Sequence, residues 1–526
     1  MENGRGIHPF MKADRALLWA VLVGALLAVL RCVPLISLPY QIDYGEGLMM
    51  EGALRLHHSQ PLYPAPFAFP VVLHVYGPVG YAATALVLPG GGVSFPAGRL
   101  LALICAIVVA LVLGSILRLL TGSSWVGFAF GLLLLTLPAF RFWLYLLRAD
   151  VIGVVFSVIG ITVYLLKQKQ WHWSIPFFAL AVFCKYTLVA APVAVFVHLI
   201  LSRKIKQGVS FATGLGFACL LAFLVLQVTT NGWFAFHMFS THPDPYSLAQ
   251  FFGLAALVGG SAPVVTGLAA WYVAQDLSGL KRSLPAIYFV ASSLTALTAG
   301  KLGSTTNHFI EWMVAGCLCA GMGYFQLASK YPARRVPITV VLAVSILAGV
   351  IAENRATVQP LSELVECGPA YQRVRDLRST AILSQSLGPL LAAGKPVLVS
   401  DPFVYGQLVQ HGGWPDRRVE QLVSERYFGF IVMVNDGARV TLPGAGIWPT
   451  SLLEAIDKNY RTVNRFACRD VGLILEPISP RPTGPSQWDK RIELARPRAL
   501  IPQLAISVRK IKERSITYFV QPAQRV

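Results

Sequence analysis

Long apolar runs separated by short polar ones dominate the first two thirds of this chain. Most are about 20 residues long, enough to cross ~30 Å of hydrocarbon as a helix. They fall near 16–38, 98–120, 124–146, 150–167, 172–184, 187–202, 208–229, 249–273, 283–300, 308–328 and 335–353, which predicts eleven spans. The first run is too long for a signal-peptide core and lacks a small-x-small cleavage pattern, so it reads as a retained signal-anchor. The runs 172–184 and 187–202 would each rise only about 22 Å as a helix, short of the bilayer. They are therefore predicted as a broken hairpin with Lys185 at its tip, an interruption of the kind that lines sites.

Two other regions break the pattern. In the first long loop, 39–97, Leu48, Met49, Ala53 and Leu56 recur at helical spacing. This predicts an amphipathic helix from Glu46 to Ser59 lying on the membrane. A second interfacial helix is predicted after Tyr76-Gly77-Pro78, ending at Pro89. Beyond Asn354 the chain turns more polar, with short apolar runs at 397–399, 430–434 and 471–475 that read as buried strands. Helices are predicted near 371–393 and 450–459. The expected organisation is a transmembrane domain at 1–353, a small α/β domain at 354–477 and a basic tail at 478–526. The tail carries ten Lys/Arg against three Asp/Glu and is expected to lie on anionic lipid headgroups.

Composition agrees with this pattern. The 526 residues are 55% hydrophobic and 13% charged, where soluble domains carry about 25% charged residues. The net charge of +19 would suit a nucleic acid. However, Arg118, Lys167, Lys169, Arg203, Lys204, Lys206, Lys281, Arg282, Lys330, Arg334 and Arg335 all fall in loops on one side of the predicted topology. The positive-inside rule accounts for them, and no nucleic-acid partner is expected. The same rule makes the N-terminus cytoplasmic, and eleven spans put the α/β domain outside. Six cysteines lie in apolar runs, where a thiol acts as a small hydrophobe. Cys367 and Cys468 lie in the outer domain, where a disulfide and two free thiols are both compatible with the sequence.

Polar residues from distant segments converge on the outer face. They are Asp43, Glu46, Glu51 and Arg55 in the first loop, Arg99 at the start of span two, and Arg148 and Asp150 between spans three and four. Lys185 follows at the hairpin tip, His237, His242 and Asp244 after span seven, and Lys301, Asn307, His308 and Glu311 near span ten. Ionisable groups at membrane depth are costly, so their convergence suggests a shared site. A carboxylate can act as general base on a hydroxyl, and fixed cations can stabilise a phosphate leaving group. Each also has a structural reading. Asp43 and Glu46 match a capping box, Arg148 and Asp150 a helix-end pair, and Glu51 and Arg55 an i,i+4 pair. Lys185 could reach the headgroups by snorkelling. No Walker loop, GxSxG or HExxH occurs, which argues against an NTP-driven pump and a zinc protease.

Several of these segments form an ordered series: Asp43-Tyr44-Gly45-Glu46, Ser59-Gln60-Pro61-Leu62-Tyr63, Tyr76-Gly77-Pro78, Arg99-Leu100, Arg148-Ala149-Asp150 and Cys184-Lys185. The series resembles the landmarks of the GT-C glycosyltransferases, in particular protein O-mannosyltransferases, aminoarabinose transferases of lipid A and the bacterial galacturonosyltransferase-like group. The resemblance covers residues 1–353 in layout. It implies a polytopic helical enzyme of the bacterial inner membrane that moves a sugar from a polyprenyl-phosphate carrier to an acceptor on the extracytoplasmic side. Asp43 then matches the first-loop acid that serves as base, although relatives carry adjacent Asp-Glu where two residues intervene here, so Glu46 stands as an alternative. Asp150 matches the second-loop acid and Lys185 the lysine near the carrier phosphate. Arg148, Arg99, Tyr76, His308 and Glu311 are further substrate-binding candidates. The oligosaccharyl branch uses a divalent metal and the nearer relatives generally do not, so no metal or other cofactor is expected. The expected partners are the lipid-linked donor, a lipid, glycan or protein acceptor, and membrane lipids. A secondary transporter or lipid-sugar flippase is the competing reading. A non-catalytic assembly subunit acting through its α/β domain is the third.

Overall fold

The computed structural model describes residues 8–241, 244–365, 367–411, 414, 417–434 and 447–479. His242 and the basic tail from 480 onward lie outside them. Each predicted apolar run contains a helix. Among the described residues, five are long and apolar enough to cross a membrane: Arg15–Ser37, Phe95–Thr121, Ala149–Leu166, Ile205–Thr229 and Pro332–Gly349. Two bent pairs bring this to seven if each pair is one span. The run expected as a straight span at 249–273 is one of them, with Leu248–Ser261 and Pro263–Ser278 meeting at 101°. Proline at 263 has no N–H and keeps the residue before it out of the helical region; Ala262 accordingly sits at φ −141° and ψ 63°. A milder 66° bend separates Ser124–Thr136 from Pro138–Leu144. There Arg141 donates to the Thr136 carbonyl at 3.1 and 2.8 Å, satisfying an acceptor that the break exposes.

Helices Phe95–Thr121 and Ser124–Thr136 pack with their backbones in near contact, because Gly114, Gly127 and Gly131 carry no side chain at the crossing. Ile310–Lys330 lies in the interior, with Met313, Val314, Ala315, Cys317, Leu318, Cys319 and Ala320 all buried. By contrast, Ile205–Thr229 exposes Phe217, Leu220, Leu221, Leu224, Val225 and Val228, a surface suited to lipid. The result is a polytopic helical membrane protein carrying a small sheet-containing unit.

The broken hairpin is present as Ile175–Cys184 and Ala190–Leu201, with Lys185 in extended conformation at the break (φ −150°, ψ 121°). Glu311 stabilises the far side of that break. Its Oε1 accepts the Ala191 amide at 3.2 Å, at the N-terminus of Ala190–Leu201, and the Tyr288 hydroxyl at 3.2 Å.

The first-loop helix runs Tyr44–His57, close to the expected bounds, but it does not lie on an open membrane surface. Residues 45–54 are all buried. Glycines let both faces be covered: on the apolar face a methyl at Gly45 would overlap the Arg148 guanidinium and one at Gly52 the Tyr81 ring, and on the opposite face one at Gly47 would overlap the Gln41 side chain. The second short helix, Pro78–Val87, leaves Leu86 86% exposed, as expected at an apolar boundary.

Beyond the helical part, four strands among the described residues form one sheet: β1 (Ile382–Ser384), β2 (Phe430–Met433), β3 (Tyr460–Arg465) and β4 (Leu473–Pro477), in the order β1-β2-β4-β3. β1 and β2 are parallel, and the other pairs antiparallel. Two expectations fail here. The helix expected over 371–393 is Cys367–Asp376 followed by β1 and the short helix Gly388–Ala392. The strand expected at 397–399 is not in the sheet. Val399 instead bridges in parallel to Val71 of the first loop, with Val71 donating to the Leu398 carbonyl at 2.9 Å. An apolar triplet is equally compatible with either pairing, so the choice depends on what lies beside it. Cys367 and Cys468 are joined as a disulfide across a sequence separation of 101 residues.

One ion pair fastens these parts together. Arg99 and Glu46 are both fully buried, and Arg99 spends its five N–H groups on them all: two on Glu46 (2.8 and 2.7 Å), and three on the carbonyls of Leu35, Leu38 and Tyr40. Glu46 also accepts the amides of Ile42 (2.7 Å) and Leu147 (3.3 Å). Removing one partner leaves the other charge buried and unpaired. Glu46→Ala should therefore cost about 3–5 kcal/mol of stability, visible as a clear fall in the unfolding temperature in detergent. A variant as stable as the wild type would contradict this assignment.

Candidate functional site

The helix Tyr44–His57 begins at Asp43, whose extended backbone (φ −136°, ψ 143°) makes it the N-cap. Its Oδ1 accepts the Gly45 amide at 3.0 Å. Glu46 does not close the expected capping box onto the Asp43 amide; it reaches one residue further back, to Ile42. Thus the two acids part roles. Glu46 is saturated and sealed, whereas Asp43 remains 19% exposed.

Asp43 meets Arg148, with Nη2 at 2.5 Å from Oδ1. Arg148 also donates to the Tyr76 hydroxyl at 3.2 Å. Burial works to lower the Arg148 pKa, but Asp43, then Tyr76 and Asp150, outweigh it and hold the guanidinium charged. Burial pushes the Tyr76 phenol up to about 12 against the opposing effect of Arg148, so Tyr76 stays neutral and accepts that hydrogen bond.

Two residues on, Asp150 lies in the first turn of Ala149–Leu166 and is 2% exposed. Lys185 donates to its Oδ1 at 2.5 Å, and Asn307 to the same oxygen at 3.2 Å. Asp150 Oδ2 is buried with no hydrogen-bond partner among the described residues. The tripeptide Arg148-Ala149-Asp150 therefore holds two carboxylate–cation pairs, Asp43–Arg148 and Asp150–Lys185, side by side. The Tyr76-Gly77-Pro78 turn closes the group from another side. A methyl at Gly77 would overlap the Phe183 carbonyl beside Cys184, so only glycine allows the first loop this close to the hairpin break.

Other candidates sit elsewhere. Arg99 has no N–H left for a phosphate, and Glu311 serves the helix end described above. His308 lies beside Asn307, its Nδ1 2.8 Å from the Thr298 hydroxyl. His237 is buried against the first loop, with Nδ1 accepting the His74 amide (3.2 Å) and Nε2 facing the Pro64 carbonyl (2.8 Å). Among the described residues, no group of three or more His, Cys, Asp or Glu is placed to hold a metal.

Two sets of residues carry no sequence signal of their involvement. The first is His74, which joins the Glu51–Arg55 pair: its Nε2 is 2.6 Å from Glu51, and its Nδ1 2.6 Å from the Leu62 carbonyl. The second is on the sheet-containing unit, where Asp401 accepts the Tyr44 hydroxyl at 2.8 Å, next to Asp43. Tyr44 was visible in the landmark series, but its partner lies 357 residues away.

Compared with solved structures, the fold is similar to ArnT of Cupriavidus metallidurans bound to undecaprenyl phosphate. The TM-score is 0.61 at 12% identity, covering 89% of this chain and 99% of that one. The apo form of the same protein gives 0.59 at 12% identity, covering 87% and 97%. An oligosaccharyltransferase of Archaeoglobus fulgidus, tethered with an acceptor peptide, gives 0.50 at 11% identity, covering 90% and 74%. No family model matches the chain, and no curated protein matches it by sequence. The likeness is one of fold, and it agrees with the polytopic helical layout that the ordered landmarks implied.

Glu51 provides a pH test of the first loop. Burial raises its pKa, but Arg55 and His74 outweigh it and bring it from 4.5 down to about 2. A carboxyl with a depressed folded pKa adds stability above its unfolded value and loses it as the pH falls through the folded one. Glu51→Gln should then cost on the order of 2 kcal/mol at pH 7. The wild-type advantage in unfolding temperature should shrink as the pH drops below about 4.5 towards 2. An advantage unchanged near the lower limit would refute the ion-paired state of Glu51.

Proposed function

We propose that this chain is a membrane glycosyltransferase that moves a sugar from a polyprenyl-phosphate carrier to an acceptor hydroxyl, with inversion, on the extracytoplasmic face of a bacterial inner membrane. The observation that carries the reading is the adjacent placement of Asp43–Arg148 and Asp150–Lys185, within a fold similar to that of a protein crystallised with undecaprenyl phosphate. The N-terminus is cytoplasmic in this reading, residues 1–353 are the membrane domain and 354–477 the outer one. The Cys367–Cys468 disulfide supports that side, since such bonds persist in oxidising compartments.

Asp43 is the general base: it is the carboxylate of the group with exposed surface, and it is held by a helix cap and one cation. It takes the proton from the acceptor hydroxyl. The oxygen then attacks the anomeric carbon from the face opposite the carrier, and the carbon–oxygen bond to the phosphate breaks with its electron pair staying on phosphate. Lys185 and Arg148 lie where they can stabilise that charge, and charge-assisted hydrogen bonds from both suit phosphate oxygens. Asp150 orients Lys185, and Tyr76 fixes the Arg148 fork. These two side-chain cations perform the electrostatic work in this reading without a metal. The acceptor and the sugar are not specified by these contacts.

Transfer from radiolabelled polyprenyl-phosphate sugars, with membrane extract supplying acceptors, is the direct test. Asp43→Asn keeps the cap but not the base and should lower kcat by about 10²–10⁴-fold. If the folded variant transfers label as fast as the wild type, Asp43 is not the base; if the wild type consumes no donor from a broad panel, the enzyme reading falls. Transfer should also persist after chelator treatment, and a loss that divalent cations restore would reverse the metal-free reading.

A further inference from the structure

The four residues Gln41 to Tyr44 are gripped from the sheet-containing unit at every position except the aspartate. The Gln41 amide donates to the Tyr371 hydroxyl at 3.2 Å, its side-chain nitrogen to the Ser386 hydroxyl at 2.9 Å, and its side-chain oxygen accepts the Gly388 amide at 2.9 Å. The Ile42 carbonyl accepts from Arg469. The Tyr44 hydroxyl donates to Asp401 at 2.8 Å and accepts the Phe403 amide at 3.0 Å. Gln41 is fully buried in this contact. Asp43 alone is left to Arg148.

Two of the gripping arms share one covalent bond. Tyr371 lies on helix Cys367–Asp376, which Cys367 opens, while Arg469 and Asp470 directly follow Cys468. The disulfide holds these two backbones with Cα atoms 4.7 Å apart. The arms also touch each other, as the Tyr371 hydroxyl that accepts from Gln41 donates to Asp470 at 3.0 Å. The disulfide is the covalent tie between the 468–470 loop and the helix, the two segments that hold the Gln41 amide and the Ile42 carbonyl; without it the Tyr371–Asp470 hydrogen bond remains between them. The bonds to Ser386, Gly388 and Asp401 do not depend on it.

We propose that the sheet-containing unit is a positioning clamp for Asp43, locked by the Cys367–Cys468 disulfide, so that reduction of this bond loosens residues 41–44 and slows sugar transfer. The proposal rests on the glycosyltransferase reading for its effect on rate, but not for the clamp itself. A dithiol reductant supplies two electrons and two protons, leaving Cys367 and Cys468 as thiols and itself as a cyclic disulfide. Tyr371, Arg469 and Asp470 are then positioning residues, acting on the base through the backbone before it. Displacements of about 1 Å at a reacting group cost rates of the order of 10²-fold. Because several contacts survive reduction, a fall of about 10- to 100-fold is expected rather than abolition.

The test uses the full-length protein in nanodiscs, oxidised and dithiol-treated, beside Tyr371→Phe, which keeps the disulfide and removes only the hydroxyl. Hydrogen exchange of the peptide spanning residues 40–45 and steady-state transfer are measured on each. Both reduction and Tyr371→Phe should raise exchange in that peptide. Both should lower kcat while the donor KM stays within about twofold, and reoxidation should restore the reduced sample. A Cys367→Ser/Cys468→Ser variant should match the reduced protein and no longer respond to dithiol. Unchanged exchange at 40–45 after reduction and in Tyr371→Phe overturns the clamp. Loss of kcat only in step with global unfolding, seen as exchange rising across the whole outer unit, overturns the positioning role. Should the wild type transfer no sugar at all, the function reading fails on its own, and the exchange data still decide the clamp.

Discussion

Arg99 and Glu46 form the contact on which the remaining geometry depends. A guanidinium with five N–H groups is among the few side chains that can tie three carbonyls and a carboxylate at one point. Here it joins the end of the first membrane helix, the start of the first-loop helix and, through Glu46, the backbone at Leu147. Asp43 lies three residues before Glu46 and Arg148 one residue after Leu147. The ion pair therefore sets the distance between the acid and its cation without touching either. Both partners are fully out of water, where a satisfied charge pair is tolerable and a half-satisfied one is not.

A second constraint lies in the backbone of Arg148-Ala149-Asp150. Placing one residue between a cation and an acid at a helix start lets each find an opposite charge on a different segment. Arg148 turns to the first loop, and Asp150 to the hairpin break at Lys185 and to Asn307. That break is possible because the chain stops being helical at Lys185 and restarts at Ala190, with Glu311 accepting an amide at the restart. Short helices that could not each cross a bilayer thus have a use: they end where a charged side chain has to be presented.

The sheet-containing unit completes the enclosure. It pairs with the first loop through Val71 and Val399, covers the Tyr44–His57 helix and bonds to residues on both sides of Asp43. This is why the first-loop helix departs from a surface helix with one wet face. Its pattern of Leu48, Met49, Ala53 and Leu56 resembles an interfacial helix, but Gly45 and Gly52 on that same face admit Arg148 and Tyr81, and Gly47 on the opposite face lets Gln41 and Leu387 cover it. Amphipathicity reports which face is apolar; it does not report whether the polar face meets water or another part of the chain.

Read alone, the residues determine the membrane class, a helix in each apolar run up to residue 353, the broken hairpin and the short list of charged positions, because apolar length and the cost of buried charge act locally along the chain. Proline at 263 was legible too, yet its effect was not, since a proline after an apolar run marks a bend as readily as an end. Which acid is free and which is sealed depended on the fold. Asp43 and Glu46 are equivalent by type and spacing, and they separate only because Arg99, 53 residues from Glu46, reaches one of them and Arg148 the other. The same holds for Gln41, Tyr44 and Val399, whose partners lie more than 300 residues away along the chain. Hydrogen-bond pairing at that range has no signature in one sequence, because its energy is set by three-dimensional proximity and by the exclusion of water, neither of which composition or periodicity records.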